Sequence, residues 1–402
     1  MTKKKILIFS LAYYPKYYGG AEVAIKEITD RISDIEFHMI TMRFDSVLPK
    51  EETIGNIIVH RVGLGFPNAE LTTTHSLLFY LFKVTFVPIA AIAGLRLHRI
   101  HSFVGFWAMM SYMLFPIVLL RFIGVRVPYV LTLQEGDPFQ HVFERWYIAP
   151  FSPLLRIGFE NAKVVQAIST FLGSWAKRYG FKGDVKIIPN AVNTAHFGKM
   201  YSDRKIDEIK REIQKNKSDV YLVTTSRLVQ KNAIDDGIRA LSYLAENIKF
   251  LIFGTGPDEG MLRNIAQEVG VANRVIFWGQ IEHAEMPKYL KACDIFIRPS
   301  RSEGMGNSFV EAFAAELPVI TTQEGGLAEF VFDEKRNPEK PTTAWAVDKD
   351  SPEQIAEAVK DIINNPDKVD QVKKNAKALA FEKYDWDIIA IDMRQKVFGK
   401  LL

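Results

Sequence analysis

Twice along this 402-residue chain, short apolar runs of strand length alternate with helix-length segments. That rhythm confines the fold to parallel sheets covered on both faces. The first series comprises residues 6–11, 37–41, 57–62, 127–133, 164–168 and 185–188, and the second 221–225, 250–253, 275–278, 295–297 and 318–321. One hydrophobic core seldom grows past about 250–300 residues, so the expectation is α/β architecture with two Rossmann-like, doubly wound domains facing a cleft. The turn signal Pro189-Asn190, followed by a polar stretch at 200–218, separates them into domains 1–195 and 196–383. Residues 384–402 read as a helix with no following strand, returning to the first domain.

The composition, 48% hydrophobic and 24% charged, is that of an ordinary globular protein. A formal charge of +4 is too small and too scattered to argue for nucleic acid, whereas an anionic substrate or an anionic membrane surface accounts for it. The single cysteine, Cys293, and an N-terminus without an apolar signal core point to a reducing, cytoplasmic setting. Two apolar stretches, 77–95 and 103–123, reach bilayer-spanning length. Lys83 and Pro88 interrupt the first, Pro116 and Arg121 the second, and both are read as buried helices ahead of strands. A domain resting on the inner face of a membrane through apolar, aromatic and basic surface is the second reading.

Ligands of doubly wound sheets bind at the carboxyl ends of the strands, so the loops after strands carry the candidates. Arg227 and Lys231 follow the run 221–225, four residues apart in a loop and the opening turn of a helix. Together they can clamp a diphosphate, the guanidinium bidentately and the ammonium as a point charge. A solvated helix start is the plainer alternative, but the helix dipole disfavours cations there, and an anion between them is the better account. The next loop, Gly254-Thr255-Gly256-Pro257-Asp258, looks like a phosphate cradle or, more simply, a tight turn with Asp258 capping the following helix.

The strongest signal follows the run 295–297: Arg298-Pro299-Ser300-Arg301-Ser302-Glu303-Gly304-Met305-Gly306-Asn307-Ser308-Phe309-Val310-Glu311. Gly304 and Gly306 let the backbone pass close to a ligand, and a helix starting near Asn307 and Ser308 aims free amides at an anion. Glu303 and Glu311, about a turn into that helix, can face the same ligand. Two acids beside a phosphate repel it unless they accept hydrogen bonds from hydroxyls, which sugar and ribose provide. Asp348-Lys349-Asp350 and Asp385-Trp386-Asp387 match an Asp-x-Asp metal motif but read as helix caps, so neither metal nor cofactor is expected.

The spacing Glu303-x7-Glu311, with Arg227 and Lys231 upstream and Gly19-Gly20 near the N-terminus, resembles family 4 of the retaining GT-B glycosyltransferases. Ala167-Ile168-Ser169, Ile188-Pro189-Asn190-Ala191-Val192-Asn193 and Gly325-Gly326 extend the likeness over nearly the whole chain. The resemblance implies metal-independent hexosyl transfer from a nucleoside diphosphate sugar, UDP- or GDP-linked, to a glycan, lipid-linked or small-molecule acceptor. It assigns Glu311 to the ribose, Glu303 to the donor sugar, and Arg227 with Lys231 to the departing diphosphate. Amides near Gly306 to Ser308 would hold phosphate or sugar, and Gly19 and Gly20 would approach the phosphate from the other domain. Family members often carry a histidine where this chain has Gln134, which cannot titrate near neutrality. Glu135, Asp137, His98 and His101 are acceptor-side candidates, with a capping or turn role the alternative for Asp137. A nucleotide-sugar epimerase of the same fold and a non-catalytic nucleotide-sugar or glycan-binding protein are the competing readings.

Overall fold

The computed structural model describes residues 3–17, 19–66 and 77–402; Tyr18, which precedes Gly19 in the sequence, lies outside the described residues. The chain divides into two compact units, one of Met1–Asn190 with Trp386–Leu402, the other of Ala191–Asp385.

The first unit is built on strands β1 (Lys4–Phe9), β2 (Ile35–Met42), β3 (Glu51–Ile54), β4 (Ile57–Val62), β5 (Gly105–Met109), β6 (Tyr129–Leu133), β7 (Val164–Ala167) and β8 (Lys186–Ile187). Their order in the sheet is β3-β4-β2-β1-β5-β6-β7-β8. Every pairing is parallel except that of β3 with β4. Helices α1 (Gly20–Asp30), α2 (Leu77–His101) and α3 (Leu114–Phe122) are among its crossovers. In β5 and β6 every residue is buried, as a sheet covered on both faces demands.

The stretch 103–123 was expected to be one buried helix, and here the structure corrects the sequence reading. Its first part is β5, which lies between β1 and β6, and only Leu114–Phe122 is α-helical. A strand buried on both faces has no polar alternation, so periodicity cannot separate it from a buried helix. Pro116 sits in the first turn of α3, where its missing N–H has no intrahelical partner to lose.

The second unit carries β9 (Val220–Thr225), β10 (Ile248–Phe253), β11 (Val275–Gly279), β12 (Ile295–Arg298), β13 (Val319–Thr321) and β14 (Trp345–Ala346), ordered β11-β10-β9-β12-β13-β14. All neighbours are parallel. Here α4 (Ile234–Ala240) follows β9, and α5 (Asn307–Ala314) follows β12. Both units are thus doubly wound parallel α/β domains. The segment after Asn190 belongs to the second unit, because the Val192 amide donates to the Tyr384 carbonyl (2.9 Å) and the Thr194 hydroxyl to Asp385.

The last segment is not a single helix. Trp386–Asp392 is α-helical, Met393–Val397 is a π-helical turn and Phe398–Lys400 a 3-10 turn. It packs on the first unit, where the fully buried Phe398 lies 5.0 Å from Trp107 and 5.7 Å from Phe37 by ring centroids. Leu401 presses on Gly105 so closely that a Cβ there would come within 2.5 Å of it. Arg394 pairs with Asp34 at 2.6 Å. Phe398→Ala should destabilise the first unit by about 3–5 kcal/mol, read as a lower urea midpoint for that unit's unfolding.

Candidate active site

In the second sheet the chain steps outward from β9 through β10 to β11, then returns to the other side of β9 with β12. The order reverses between β9 and β12, and the crevice at the carboxyl ends of two such strands is where ligands of this architecture bind. The buried hydroxyls of Thr224, Thr225, Ser226 and Ser300 lie at these two strand ends, and none has a protein hydrogen-bond partner. Unpaired buried hydroxyls at one spot mark a place for a polar ligand or water.

Glu303, Glu311 and Arg298 form the centre of the cluster. Arg298, the last residue of β12, is buried and ion-paired to Glu303 through Nη2 at 2.5 Å. Its Nη1 donates to the Ser308 hydroxyl (2.9 Å), and its guanidinium lies 4.3 Å from the centre of the Phe309 ring. Burial pulls the Arg298 guanidinium below its usual pKa, and the charges of Glu303 and Glu311 oppose that shift. The sequence reading named Arg298 within the motif but gave it no role. It is the counter-charge that lets two acids share a site. Gly306 adopts φ +82, and a Cβ there would meet Arg298 Nη2 and the Phe309 ring, each at 2.6 Å. The glycine is therefore required by the guanidinium below it as well as by the turn.

Glu311 Oε1 lies 2.8 Å from His283 Nε2, a histidine in the loop after β11 that sequence reasoning passed over. Its position after a strand was the available signal. The Gly304 amide is turned to Glu303 Oε1 (3.1 Å), whereas Gly306 is the N-cap of α5 and Asn307 its first residue.

Arg227 is exposed and makes no ion pair among the described residues, while Lys231 is half-buried. Lys231 does not open the helix as expected; it lies in a 3-10 turn, Gln230–Asn232, and α4 starts only after Ala233, at φ +52. The turn is braced from the β12 loop, where the Arg301 amide donates to the Lys231 carbonyl (2.7 Å) and its guanidinium to the Gln230 carbonyl (2.8 Å). Arg301 also pairs with Asp235 (2.8 Å), Asp236 (3.0 Å) and Asp350 (2.6 Å). Burial, reinforced by Asp235, raises Asp236 to about 6.

Gly254 and Gly256 serve close backbone approach. A Cβ on Gly254 would meet the Ser226 carbonyl at 1.9 Å, one on Gly256 the Leu228 carbonyl at 2.2 Å, and the Gly254 amide is already given to Gly279. Asp258 stands at the N-cap of its helix without a side-chain capping bond. Nor do the Asp-x-Asp pairs act as expected near 350, where Ser351 takes the N-cap position, Asp348 pairs with Arg336, and Asp350 with Arg301.

In the first unit the order reverses between β1 and β5, and Gly20 begins α1 at the end of the loop after β1. Gly19 is extended and its amide is bound by Glu22 (2.7 Å), so Gly20 rather than Gly19 offers a helix-terminal donor. Gln134 exchanges amide hydrogen bonds with Asn190, at 2.9 and 3.2 Å. Four of the acceptor-side expectations meet a different geometry. Glu135 is buried and accepts from the Ser111 amide (2.7 Å), the Ser111 hydroxyl (2.6 Å) and the Gln134 amide (2.9 Å), making it a clamp between loops. Asp137 is exposed, and Pro138 takes the N-cap position of the next helix. His101 and His98 lie at the end of α2, which leads into the start of β5, opposite to the carboxyl ends; His101 packs 4.3 Å from His38.

Residues 18–196 match the family model described as Glycosyltransferase Family 4, and residues 205–379 match Glycosyl transferases group 1. An uncharacterized glycosyltransferase of Methanocaldococcus jannaschii is 24% identical, over 96% of this chain and 96% of its own length. A GDP-mannose-dependent alpha-(1-6)-phosphatidylinositol monomannoside mannosyltransferase of Mycobacterium tuberculosis is 28% identical over 63% of this chain and 66% of its own. Among solved structures, sucrose-phosphate synthase of Thermosynechococcus elongatus has a TM-score of 0.81 at 18% identity, covering 99% of both chains. Anabaena HepE in complex with UDP-glucose has a TM-score of 0.75 at 20% identity, over 98% of this chain and 99% of that one.

Arg298→Met leaves two carboxylates in a buried site without their counter-charge and should cost about 3–5 kcal/mol of stability. Adding Glu303→Gln to it should cost less than Glu303→Gln alone, a coupling of about 0.5–3 kcal/mol in a double-mutant cycle of urea midpoints. A carboxyl raised from 3.8 to about 6 binds more protons folded than unfolded, so its stability penalty grows as pH rises between those values and persists above them. Asp236→Asn should therefore gain stability relative to the parent at pH above about 6, with the difference fading toward pH about 4.

Proposed function

The chain belongs to family 4 of the glycosyltransferases, of the group 1 type, and on that footing we propose a retaining, metal-independent transfer of a hexose from a nucleoside diphosphate sugar. The observation that carries this reading is the Arg298 guanidinium held beneath Glu303 and Glu311 at the reversal of strand order, beside the braced turn bearing Lys231. An acidic pair neutralised from below can accept hydrogen bonds from ligand hydroxyls without repelling an adjacent phosphate. In this proposal Glu311 binds the ribose and Glu303 the transferred sugar. Arg227, Lys231 and the amides of Gly306, Asn307 and Ser308 take the charge of the departing diphosphate.

The bond between the anomeric carbon and the diphosphate oxygen lengthens first, giving an oxocarbenium-like transition state. The barrier is then set by how well leaving-group charge is met, by preorganised cations and helix-terminal amides in a water-poor site. The acceptor hydroxyl attacks from the face the diphosphate leaves, forming the new glycosidic bond with retention, and its proton departs with the diphosphate. No covalent nucleophile is needed. UDP and GDP are the candidate donors' nucleotides; Anabaena HepE binds UDP-glucose and the mycobacterial relative is GDP-mannose-dependent. A glycan or lipid-linked acceptor fits the first unit's apolar and aromatic content, and a single buried cysteine suits a cytoplasmic setting.

Arg227→Ala and Lys231→Ala should each lower kcat by about 100- to 1,000-fold, measured with a donor chosen by calorimetry with UDP and GDP; parental kcat in either variant refutes the leaving-group role. Turnover should persist in EDTA, and the product's anomeric proton, followed by NMR, should keep the donor's configuration. Conversion of UDP-GlcNAc with no acceptor present would instead favour epimerisation.

A further inference from the structure

No aspartate or glutamate occurs between Glu70 and Glu135, in a chain that otherwise carries 47 of them. The charged residues of that stretch are Lys83, Arg96, Arg99, Arg121 and Arg126, and it spans α2, β5 and α3. A segment of this length without acids is a surface of one sign wherever it meets solvent.

The outer face of α2 is apolar. Leu81, Val84, Pro88 and Ile92 recur at helical spacing and are exposed, with Val84 67% accessible, and the same face ends in exposed Arg96 and Arg99. Beside it, the end of α3 and its C-cap present exposed Phe122 (61%) and Ile123 (62%), flanked by exposed Arg126 and by half-buried Arg121, which donates to Asn161 Oδ1 (3.1 Å). The two helices pack together and both run back to the starts of neighbouring strands, so their C-terminal ends share one rim of the sheet. Arg96, Arg99, Arg121 and Arg126 form no ion pair among the described residues. Glu160, which ends the helix Ser152–Glu160, is engaged with Arg156 at 2.9 Å.

By length and composition, Leu81–His101 could cross a bilayer. The inner face of α2 argues against it: Phe86, Ala90 and Ala91 are buried, and Gly94 is so close to Phe9 that a Cβ would lie 3.0 Å from the ring. Removing α2 to a membrane would strip the cover from β1. An apolar stripe bordered by arginines without ion pairs, on a helix already fastened to a sheet, is the chemistry of a surface that lies in a bilayer interface.

We infer that the outer faces of α2 and α3 dock the N-terminal unit on an anionic lipid bilayer, with Ile92, Phe122 and Ile123 entering the acyl boundary and the exposed Arg96, Arg99 and Arg126 meeting headgroup phosphates. The inference rests on this surface alone and stands apart from the roles proposed for Glu303 and Glu311. The full chain should co-sediment with phosphatidylcholine vesicles containing phosphatidylglycerol, bind those of phosphatidylcholine alone far more weakly, and release at high salt. Arg96→Gln/Arg99→Gln should lower the partition coefficient by about fivefold for each arginine removed. Phe122→Ser/Ile123→Ser, at exposed positions, should weaken binding while leaving nucleotide affinity at the parental value. Equal binding to both vesicle types, or none to either, overturns the proposal. So does resistance of the bound chain to alkaline extraction, which means a spanning helix, and so does a lipid-independent dimer dissociated by Phe122→Ser/Ile123→Ser, which means a second copy covers the face.

Discussion

Burying the Arg298 guanidinium at the end of β12 leaves the loop above it few alternatives. A cation withdrawn from water must be met by carboxylates and hydrogen-bond acceptors, and Glu303, Ser308 and the face of Phe309 meet it. Those three residues lie on both sides of the turn into α5, so satisfying one side chain fixes the loop, the start of the helix and the direction of Glu303 together. Gly306 follows as a necessity, since the space a Cβ would need is filled by the guanidinium and the ring. Arg301, three residues on, fastens the same loop to the turn carrying Lys231. The β9 and β12 loops are therefore one mechanical assembly.

The first unit uses a buried carboxyl at a strand end, one strand beyond the reversal of its order. Glu135, after β6, gathers the Ser111 amide and hydroxyl and the Gln134 amide, and burial raises its pKa even though each of those hydrogen bonds opposes the shift. It ties the loop after β5 to the loop after β6. In both units, strand-end loops long enough to hold a ligand are kept in shape by a buried titratable group that the ligand itself need not touch.

Much of this was legible in the residues. Apolar runs located eleven of the strands because buried parallel strands read as continuous hydrophobic sequence, and the glycine-rich loop before α5 announced itself by Gly304, Gly306 and two glutamates at a fixed spacing. What escaped has a physical reason in each case. β5 was absorbed into an apolar stretch that continues into α3. β3, Glu51–Ile54, is a half-exposed antiparallel edge, and β14 has two residues. Glu135 was misread because a carboxylate in a loop looks accessible until its three donors are seen, and His101 because closeness in sequence to a strand does not tell which end of that strand it adjoins. Arg298 was visible but mute: that an arginine at a strand end is buried beneath its own loop depends on Phe309 and Ser308 folding over it.

Because residues from Trp386 onward pack on the first unit, the second unit is, in topological terms, an insertion within the first. During synthesis all the strands of the host are made first, yet the inserted unit is complete before its host is, because the host's hydrophobic surface around Phe37, Trp107 and Gly105 stays uncovered until Phe398 and Leu401 have been made. The order of assembly thus runs opposite to the order of the sheets along the chain, and the earlier-made sheet must wait in a state that other chains or chaperones can recognise.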